Sequence, residues 1–350
     1  MLGTTELIST GLVGMERDNN NDVLWTWSYP SVSTEQRGII IKKCSFDLES
    51  GDVRVNPFSY GQYNDCWYYR TVNDVQNLDT LLKVKQFVLI VWARDFNPEK
   101  YEAFSKILSK TYCKTGDPAT LLNFYLSVLT LGSCKTEENG TFVVRDYDQK
   151  KAFALSCVKD VINTFKLETI LIYTALLLKK RIIVYHHKLA NLQFFLRSFP
   201  AFVWHRQNWN ILYPNQDFSD PEISDMKSAS YYVAGFSDAS IDARTDLYDL
   251  YINLAAVEIS IAPHAKETFI MSKTHKDIAL NMVRLAEDKS LSDDDVIMDI
   301  ANKTKDLINT LQSFATDKQL TVEILREKNL APALENFLFN LAVAENIIKL

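Results

Sequence analysis

The residues that could act as nucleophiles, bases or metal ligands are the histidines and Ser237, which lies two residues after a glycine. His186 and His187 are adjacent, but no further His, Cys or Asp lies at metal-ligand spacing beside them. His205 lacks both the nucleophile and the orienting acid that a catalytic base requires. Ser237 follows Gly235 at the spacing of a nucleophile elbow, but the second glycine of that motif is missing. We therefore expect no catalytic residue and no metal site.

Glycine-rich loops that would hold a phosphate or a dinucleotide are missing from the sequence. Neither G-x-x-x-x-G-K-[ST] nor G-x-G-x-x-G occurs, and the chain has 10 glycines in all. Because glycine lets backbone N–H groups approach phosphate oxygens closely, a nucleotide cofactor has no recognisable site here. The formal net charge of −6 gives no general attraction to nucleic acid or to an anionic membrane. We expect no cofactor and no nucleic-acid partner.

Aromatic residues offer a different activity, which is binding to another protein. Val23, Trp25, Trp27 and Tyr29 alternate along one predicted strand, so a period of two places their side chains on one face. Aromatic side chains supply large, rigid contact areas at the centres of interfaces. A sheet face that packs against helices has the same pattern, so core and interface both remain open. Arg37 is a further candidate contact.

Arg181 is the last residue of a basic run that spans residues 179–181. This run lies at the end of a predicted helix, where the helix dipole attracts cations without any ligand. Contact with a carboxylate or a phosphate of a partner is the alternative. We therefore include Arg181 among the candidate partner-binding residues.

The size and composition predict a folded, cytoplasmic protein. The chain has 350 residues, of which 47% are hydrophobic and 23% charged, which suggests about two domains. Its five cysteines form no C-x-x-C pair, which is typical of a reducing compartment. The longest apolar run, residues 170–178, is far shorter than the ~20 residues that cross a bilayer. Contact with membranes is expected only peripherally, through partners.

The hydrophobic periodicity predicts two lobes. The first, residues 1–133, reads β-β-α-β-β-β-α-α. Asn97-Pro98 and Asp117-Pro118 are helix starts, and Gly116 and Gly132 are helix ends. Residues 134–150 are predicted to be a linker, and residues 151–350 the second lobe. The expected strands of the first lobe are 7–16, 23–29, 53–60, 65–71 and 84–93, with a helix at 33–43.

The second lobe is predicted to alternate helices with short strands and to end in helices. Residues 214–227 are rich in Asp, Ser and Pro and have a weak order signal. Ser292 precedes three acidic residues, which indicates a capped helix start. The expected helices are 148–165, the first part of 167–186, 189–198 and 332–348. The expected strands are the end of 167–186, 210–213, 231–236 and 248–261 with a break.

Several motifs in the second half, by their order and spacing, resemble the DENN domain family. Residues 168–185 resemble the family's helix-to-strand core, and Pro200 and Trp204 resemble its Pro-x-x-x-Trp motif. Residues 231–236 resemble its Pro-Tyr-hydrophobic-hydrophobic-Gly segment, although Tyr231 stands where many members have proline. In the first half, residues 25–30 look like the second strand of the longin-like lobe that these proteins place first.

The resemblance covers nearly the whole chain and implies a specific fold and function. The implied fold is α/β: an N-terminal longin-like lobe (antiparallel sheet plus helices) and a C-terminal DENN α/β lobe ending in helices. The implied activity is that of a guanine-nucleotide exchange factor for a Rab GTPase, recruited to late endosomes. The alternative is a non-catalytic scaffold or adaptor subunit of an endosomal sorting assembly such as Commander. Neither activity follows from composition or periodicity.

Overall fold

The chain folds into two units. The structure is a computed structural model that describes residues 11–44, 57–63, 66–75, 79–136, 140–148, 156–315 and 320–348. The contacts divide the chain into Met1–Phe153 and Ala154–Leu350. The first unit contains an antiparallel sheet with helices, and the second a mixed sheet followed by helices. This confirms the predicted α/β fold class.

A five-stranded antiparallel sheet with the order β2-β1-β5-β4-β3 forms the base of the first unit. The near-continuous apolar run of β5 explains its central position, because a central strand is covered on both faces. The edge strand β2 is instead mostly exposed. The strands are β1 (Gly11–Asp18), β2 (Val23–Tyr29), β3 (Phe58–Tyr63), β4 (Cys66–Asp74) and β5 (Val84–Ala93).

The helices of the first unit begin and end at the predicted residues. Helix α2 (Pro98–Thr115) is capped by the Asn97 side chain, and α3 (Pro118–Leu131) by the Asp117 side chain. Gly116 and Gly132 follow with φ of 64° and 71°, a left-handed conformation that glycine adopts without steric cost. Helix α1 (Thr34–Cys44) lies where a helix over 33–43 is predicted.

A bulge in β2 separates the aromatic residues of that strand. The register between β1 and β2 shifts after Gly14, so that Thr26 is an extra residue on the β2 side. The Thr26 hydroxyl donates to the Gly14 carbonyl at 2.9 Å. Because one additional residue reverses the alternation of faces, Trp25 lies on one face of the sheet, and Trp27 and Tyr29 on the other. The prediction that Val23, Trp25, Trp27 and Tyr29 share one face is wrong.

Residues 134–150, predicted to be a linker, contain part of a short hairpin within the first unit. Strand β6 (Ser133–Lys135) pairs with β7 (Thr141–Val143). Phe142 is buried, and its ring is stacked on that of Phe104 of α2 with 4.9 Å between the centroids. Part of this segment, residues 137–139 and 149–150, lies outside the described residues.

The second unit has a sheet with the order β12-β11-β8-β10-β9. Strands β9, β10, β8 and β11 are parallel, and β12 is antiparallel to β11. The central residues of β8 are buried, as expected for a strand covered on both faces. A Cβ on Gly235 of β10 would lie 2.5 Å from a Leu196 methyl, so this glycine permits close helix packing. The strands are β8 (Arg181–Tyr185), β9 (Leu212–Gln216), β10 (Tyr232–Phe236), β11 (Leu250–Asn253) and β12 (Glu258–Ile261).

Most helices of the second unit lie where the periodicity predicts them, and three differ. A helix is predicted over residues 148–165, but α4 begins at Val158, and Ser156 and Cys157 before it are not helical. Residues 149–155 lie outside the described part. Residues 220–228 form a helix where a weakly ordered run is predicted, and Pro221 fits the first turn of that helix. The last helix ends at Ala344. The helices are α4 (Val158–Phe165), α5 (Thr169–Leu177), α6 (Leu189–Leu196), α7 (Asp220–Ser228), α8 (Lys273–Glu287), α9 (Asp293–Phe314), α10 (Val322–Glu327) and α11 (Pro332–Ala344).

A reciprocal cap starts helix α9. The Ser292 hydroxyl accepts from the Asp295 N–H, and the Asp295 carboxylate accepts from the Ser292 N–H, so the predicted capped start of α9 is confirmed.

In the part of the chain that the structure describes, no helix has the length and apolar character needed to cross a bilayer.

A charged cluster attaches the end of α11 to the sheet-bearing part of the second unit. The Arg206 guanidinium donates to the carbonyls of Leu176 and Leu177 at 2.8 and 2.7 Å, at the end of α5. It also pairs with the Glu345 carboxylate, which lies 3.0 Å from the His205 ring nitrogen. Burial alone would raise the pKa of Glu345, but the hydrogen bonds from His205 and Arg206 outweigh it and lower this pKa to about 2.

The lowered pKa of Glu345 predicts a pH-dependent contribution to stability. The folded-state pKa of about 2 lies below the ordinary value of 4.5, so the contribution is complete above pH 4.5 and is lost as the pH falls toward 2. We expect wild type to exceed Glu345→Gln by about 3 kcal/mol in unfolding free energy at pH 7. This difference should shrink between pH 5 and pH 3 in urea titrations. A difference that stays constant over that range would contradict the assignment.

Candidate functional site

The clearest candidate contact surface in the first unit is formed by β2 and α1. We call it the Trp25 surface, and it comprises Val23 and Trp25 of β2 with Arg37 and Ile41 of α1. The Arg37 guanidinium carbon lies 5.0 Å from the centroid of the Trp25 ring. Val23 and Ile41 are 38% and 42% exposed, so apolar side chains flank this cation–aromatic pair. Arg37 and Ile41 are four residues apart and therefore neighbours on one helix face.

The core of the first unit holds Trp25 in place. Trp25 is half-buried and packs against a cluster that includes Met15, Val88 and Trp92 on the same face of the sheet. Ile40 of α1 belongs to the same cluster, which fixes the helix over the sheet. Trp25 therefore contributes to packing and still offers part of its ring to the surface.

A reciprocal cap positions the start of α1 and hence Arg37. The Ser33 N–H donates to the Gln36 side chain at 3.0 Å, and the Gln36 N–H donates to the Ser33 hydroxyl at 3.1 Å. The hydroxyl of Tyr63 on β3 donates to the Glu35 carboxylate at 2.7 Å. These contacts fix the first turn of α1, so Arg37 projects from an anchored helix rather than from a loop.

The pair of Trp25 and Arg37 can recognise an acidic protein surface. Within the described ranges, no side chain or carbonyl accepts a hydrogen bond from the Arg37 guanidinium, so its donors face outward. Stacking on an indole ring removes part of the hydration of a guanidinium while leaving its N–H fork available for a carboxylate. Tryptophan and arginine are also the residue types that contribute most at interface centres.

Trp27 and Tyr29 lie on the opposite face and contact helices. The Trp27 ring is 6.5 Å from that of Tyr112 on α2, and the Tyr29 ring is 6.1 Å from that of Tyr125 on α3. A Cβ on Gly14 would lie 2.5 Å from the Trp27 ring, so Trp27 covers the glycine directly. Trp27 therefore serves mainly in packing, whereas Tyr29 is 40% exposed and remains available at the surface.

Arg181 belongs to the second unit and is engaged within it. Its guanidinium donates to the Asp249 carboxylate at 3.0 Å and to the Asp246 carbonyl at 2.8 Å. Its backbone N–H donates to the Asp249 carboxylate at 2.8 Å. Burial would lower the pKa of Arg181, but the Asp249 hydrogen bond raises it overall. Burial would raise the pKa of Asp249, and the Arg181 contacts lower it overall. This ion pair joins β8 to the residue before β11, and it accounts for the charge of Arg181 without a partner.

The paired histidines pack against each other at the end of β8. His186 is buried after β8, and its ring is stacked on that of His187 with 4.4 Å between the centroids. Its Nδ1 accepts from the Lys188 N–H at 2.8 Å. Burial, and then the neighbouring His187, lower the pKa of His186. Across the residues that the structure describes, no three His, Cys, Asp or Glu side chains come together as metal ligands.

Ile41 is the member of the Trp25 surface that the sequence does not identify. It follows Ile39 and Ile40 in an uninterrupted apolar run, and only the structure shows that Ile40 is buried while Ile41 is exposed. The spacing of four residues from Arg37 is the one signal in the sequence that could place the two together.

Known proteins resemble this chain over its full length. It is 43% identical over 353 residues to DENN domain-containing protein 10 of Danio rerio, with all of both chains covered. It is 42% identical over 353 residues to DENN domain-containing protein 10 of Homo sapiens, covering 99% of this chain and 98% of that protein. The Dictyostelium discoideum protein of the same name is 33% identical over 367 residues, covering 99% and 100%. Residues 156–263 match the family described as "SPA: Stabilization of polarity axis". The resemblance to DENN proteins is thereby confirmed, and this chain belongs to the DENN domain-containing protein 10 family.

Proposed function

We propose that this protein is a guanine-nucleotide exchange factor that promotes GDP release from a Rab GTPase in endosomal membrane traffic. The observation that carries the proposal is the full-length identity of 42–43% to proteins named for the DENN domain. Exchange of Rab-bound nucleotide is a common activity of DENN proteins. The proposal includes recruitment to late endosomes through a partner.

Exchange of this kind requires no covalent chemistry. A factor that binds the GTPase more tightly when its nucleotide site is empty must, by linkage, weaken nucleotide binding by the same factor. Displacing the switch segments that hold Mg²⁺ and the phosphates is enough to achieve this. The protein then needs only a surface of suitable shape and charge, which is compatible with a chain that has no recognisable catalytic group.

The Trp25 surface supplies one such set of contacts. Arg37 offers unengaged N–H donors to a carboxylate of the GTPase, and Trp25 together with Val23 and Ile41 offers apolar area around them. A carboxylate that loses water at the centre of an interface benefits most from a guanidinium that is already partly desolvated. Arg181 is not included in this contact set, since Asp249 engages it.

Replacing Arg37 by glutamate is expected to lower the catalytic efficiency of GDP release about tenfold or more, which corresponds to about 1.4 kcal/mol of interface energy. The exposed position of Arg37 predicts an unchanged melting temperature. Lys110→Glu on α2 is the matched control, because Lys110 is also exposed and the change of charge is the same. Equal efficiencies for the two variants in a fluorescent-GDP release assay would remove the Trp25 surface from the exchange site.

Binding to the three nucleotide states of a Rab tests the exchange proposal directly. Biolayer interferometry would compare the affinity of the full chain for empty, GDP-bound and GTP-bound protein. Tightest binding to the empty state is the expected result, because only that preference can promote release. Equal affinity for all three states would contradict the exchange mechanism.

A second candidate function is that of a non-catalytic scaffold or adaptor in an endosomal sorting assembly such as Commander. The exposed apolar side chains of Val23 and Ile41 favour it, because a constitutive partner would keep them covered. A scaffold would bind its assembly whatever the nucleotide state of any GTPase. Exchange and scaffolding are therefore separated by the same binding comparison.

A further inference from the structure

A groove lies between α8 and α9 in the second unit, and its shape can accommodate another helix. Each of its two walls is a stripe of residues at positions i, i+3, i+4 and i+7, which is one face of a helix over two turns. The volume of the groove is about 440 Å³, and it is open along its length. The stripes are Thr274, Asp277, Ile278 and Asn281 on α8, and Lys303, Asp306, Leu307 and Thr310 on α9.

The two walls are held in register. The Asn281 amide donates to the Asp299 carboxylate at 2.7 Å, which joins α8 to α9 near one end of the groove. From there the numbering runs in opposite directions along the two walls, so the helices are antiparallel. Two antiparallel helices with a shallow open groove form a surface against which a third helix packs in a bundle.

The floor and the rim of the groove differ in chemistry. Ile278 is buried and Leu307 is half-buried, so the floor is apolar. Asp277, Lys303 and Asp306 on the rim are exposed. In the described part of the chain, none of these three side chains forms an ion pair or a hydrogen bond with a neighbour. The rim thus carries two negative charges and one positive charge that no intramolecular contact compensates.

We propose that this groove binds an amphipathic α-helix of a partner protein. Apolar residues of that helix at i, i+3 and i+7 contact Ile278 and Leu307, and basic residues beside them pair with Asp277 and Asp306. The two-turn walls correspond to about 10 Å of helix axis, which is the length over which such anchors are spaced. An extended strand would leave its backbone groups unpaired here, because helices offer no sheet edge.

Helix binding in this groove does not depend on exchange activity. The residues of the groove lie only on α8 and α9, and none of them belongs to the Trp25 surface. Loss of helix binding and loss of GDP release are therefore expected to be separable in variants.

Site-specific photo-crosslinking identifies the occupant. The full chain with Thr310→p-benzoylphenylalanine would be expressed in cells and irradiated, and the cross-linked peptides sequenced. Capture alone does not support the proposal. The expected result is a peptide from one other protein, with apolar residues at helical spacing and flanking Lys or Arg. No cross-link, a link to a second copy of this chain, or a peptide without that pattern would overturn the proposal.

The synthetic form of the cross-linked peptide then provides the quantitative test. Its affinity for the full chain should fall about tenfold in Asp306→Lys, because a salt contact becomes a repulsion. The matched control is Asp225→Lys on α7, an exposed aspartate with the same change of charge, which should leave the affinity unchanged. The peptide should gain helical circular dichroism on binding. Equal affinities for the two variants would contradict the proposed groove contact.

Discussion

Replacing Arg206 by methionine is expected to lower the free energy of unfolding by about 3 kcal/mol. The change leaves the partly buried Glu345 carboxylate without its main cationic partner and removes two hydrogen bonds from the end of α5. The Leu177 carbonyl then loses its Arg206 donor, which carries a desolvation cost of its own, whereas the Leu176 carbonyl still accepts from the Lys179 N–H at 3.3 Å. Arg206 contacts both the core helix and the C-terminal segment, so α11 should separate first.

Urea titration followed by circular dichroism measures this loss. The matched control is Arg244→Met, since Arg244 also pairs with a carboxylate, that of Asp246, but both side chains of this pair are more exposed. That variant should cost less than about 1 kcal/mol, because solvent screens an exposed pair. Similar losses for the two variants would show that the cluster around Glu345 does not attach the C-terminal helix.

Replacing Trp27 by aspartate is expected to destabilise the first unit by about 3 kcal/mol or more. The indole covers Gly14 and lies near Tyr112 of α2, so its loss opens a gap between the sheet and this helix. Aspartate would also place a charge beside apolar side chains. Leu24→Asp in the same strand is the control, because Leu24 is 51% exposed, and its cost should stay within about 0.5 kcal/mol.

Thermal unfolding distinguishes a packing role from a binding role at Trp27. A large drop in the melting temperature of Trp27→Asp, with little change in Leu24→Asp, would assign Trp27 to the core. An unchanged melting temperature together with lost partner binding would contradict this account. Trp27 would then have to be counted among the contact residues.

Local chemistry explains why the helices after β5 could be predicted from the sequence. Asn97 and Asp117 cap the first turns with their own side chains, and Gly116 and Gly132 end the helices in the left-handed conformation. These signals act within a few residues, so they do not depend on distant packing. The apolar run of β5 is likewise a local signal that can be read from consecutive residues, and this strand occupies the centre of its sheet.

Long-range pairing explains what could not be predicted. The bulge at Thr26 depends on the register with β1, and a period-two pattern through β2 gives no sign of it. Arg181 stands in a basic run, but its partner Asp249 is 68 residues away in the sequence. Trp25 and Arg37, which are both candidates from the sequence, lie together in the structure. The exposure of Ile41 could not be predicted, because it depends on how α1 packs on the sheet.

Release of fluorescent GDP from a panel of purified Rab proteins, with and without the full chain, is the most direct test of the proposed function. The account predicts strong acceleration for one or a few Rab proteins, at a rate that rises with the concentration of this protein. No acceleration across a broad panel, with the protein shown to be folded by its melting transition, would contradict exchange activity and leave the scaffold as the function to pursue.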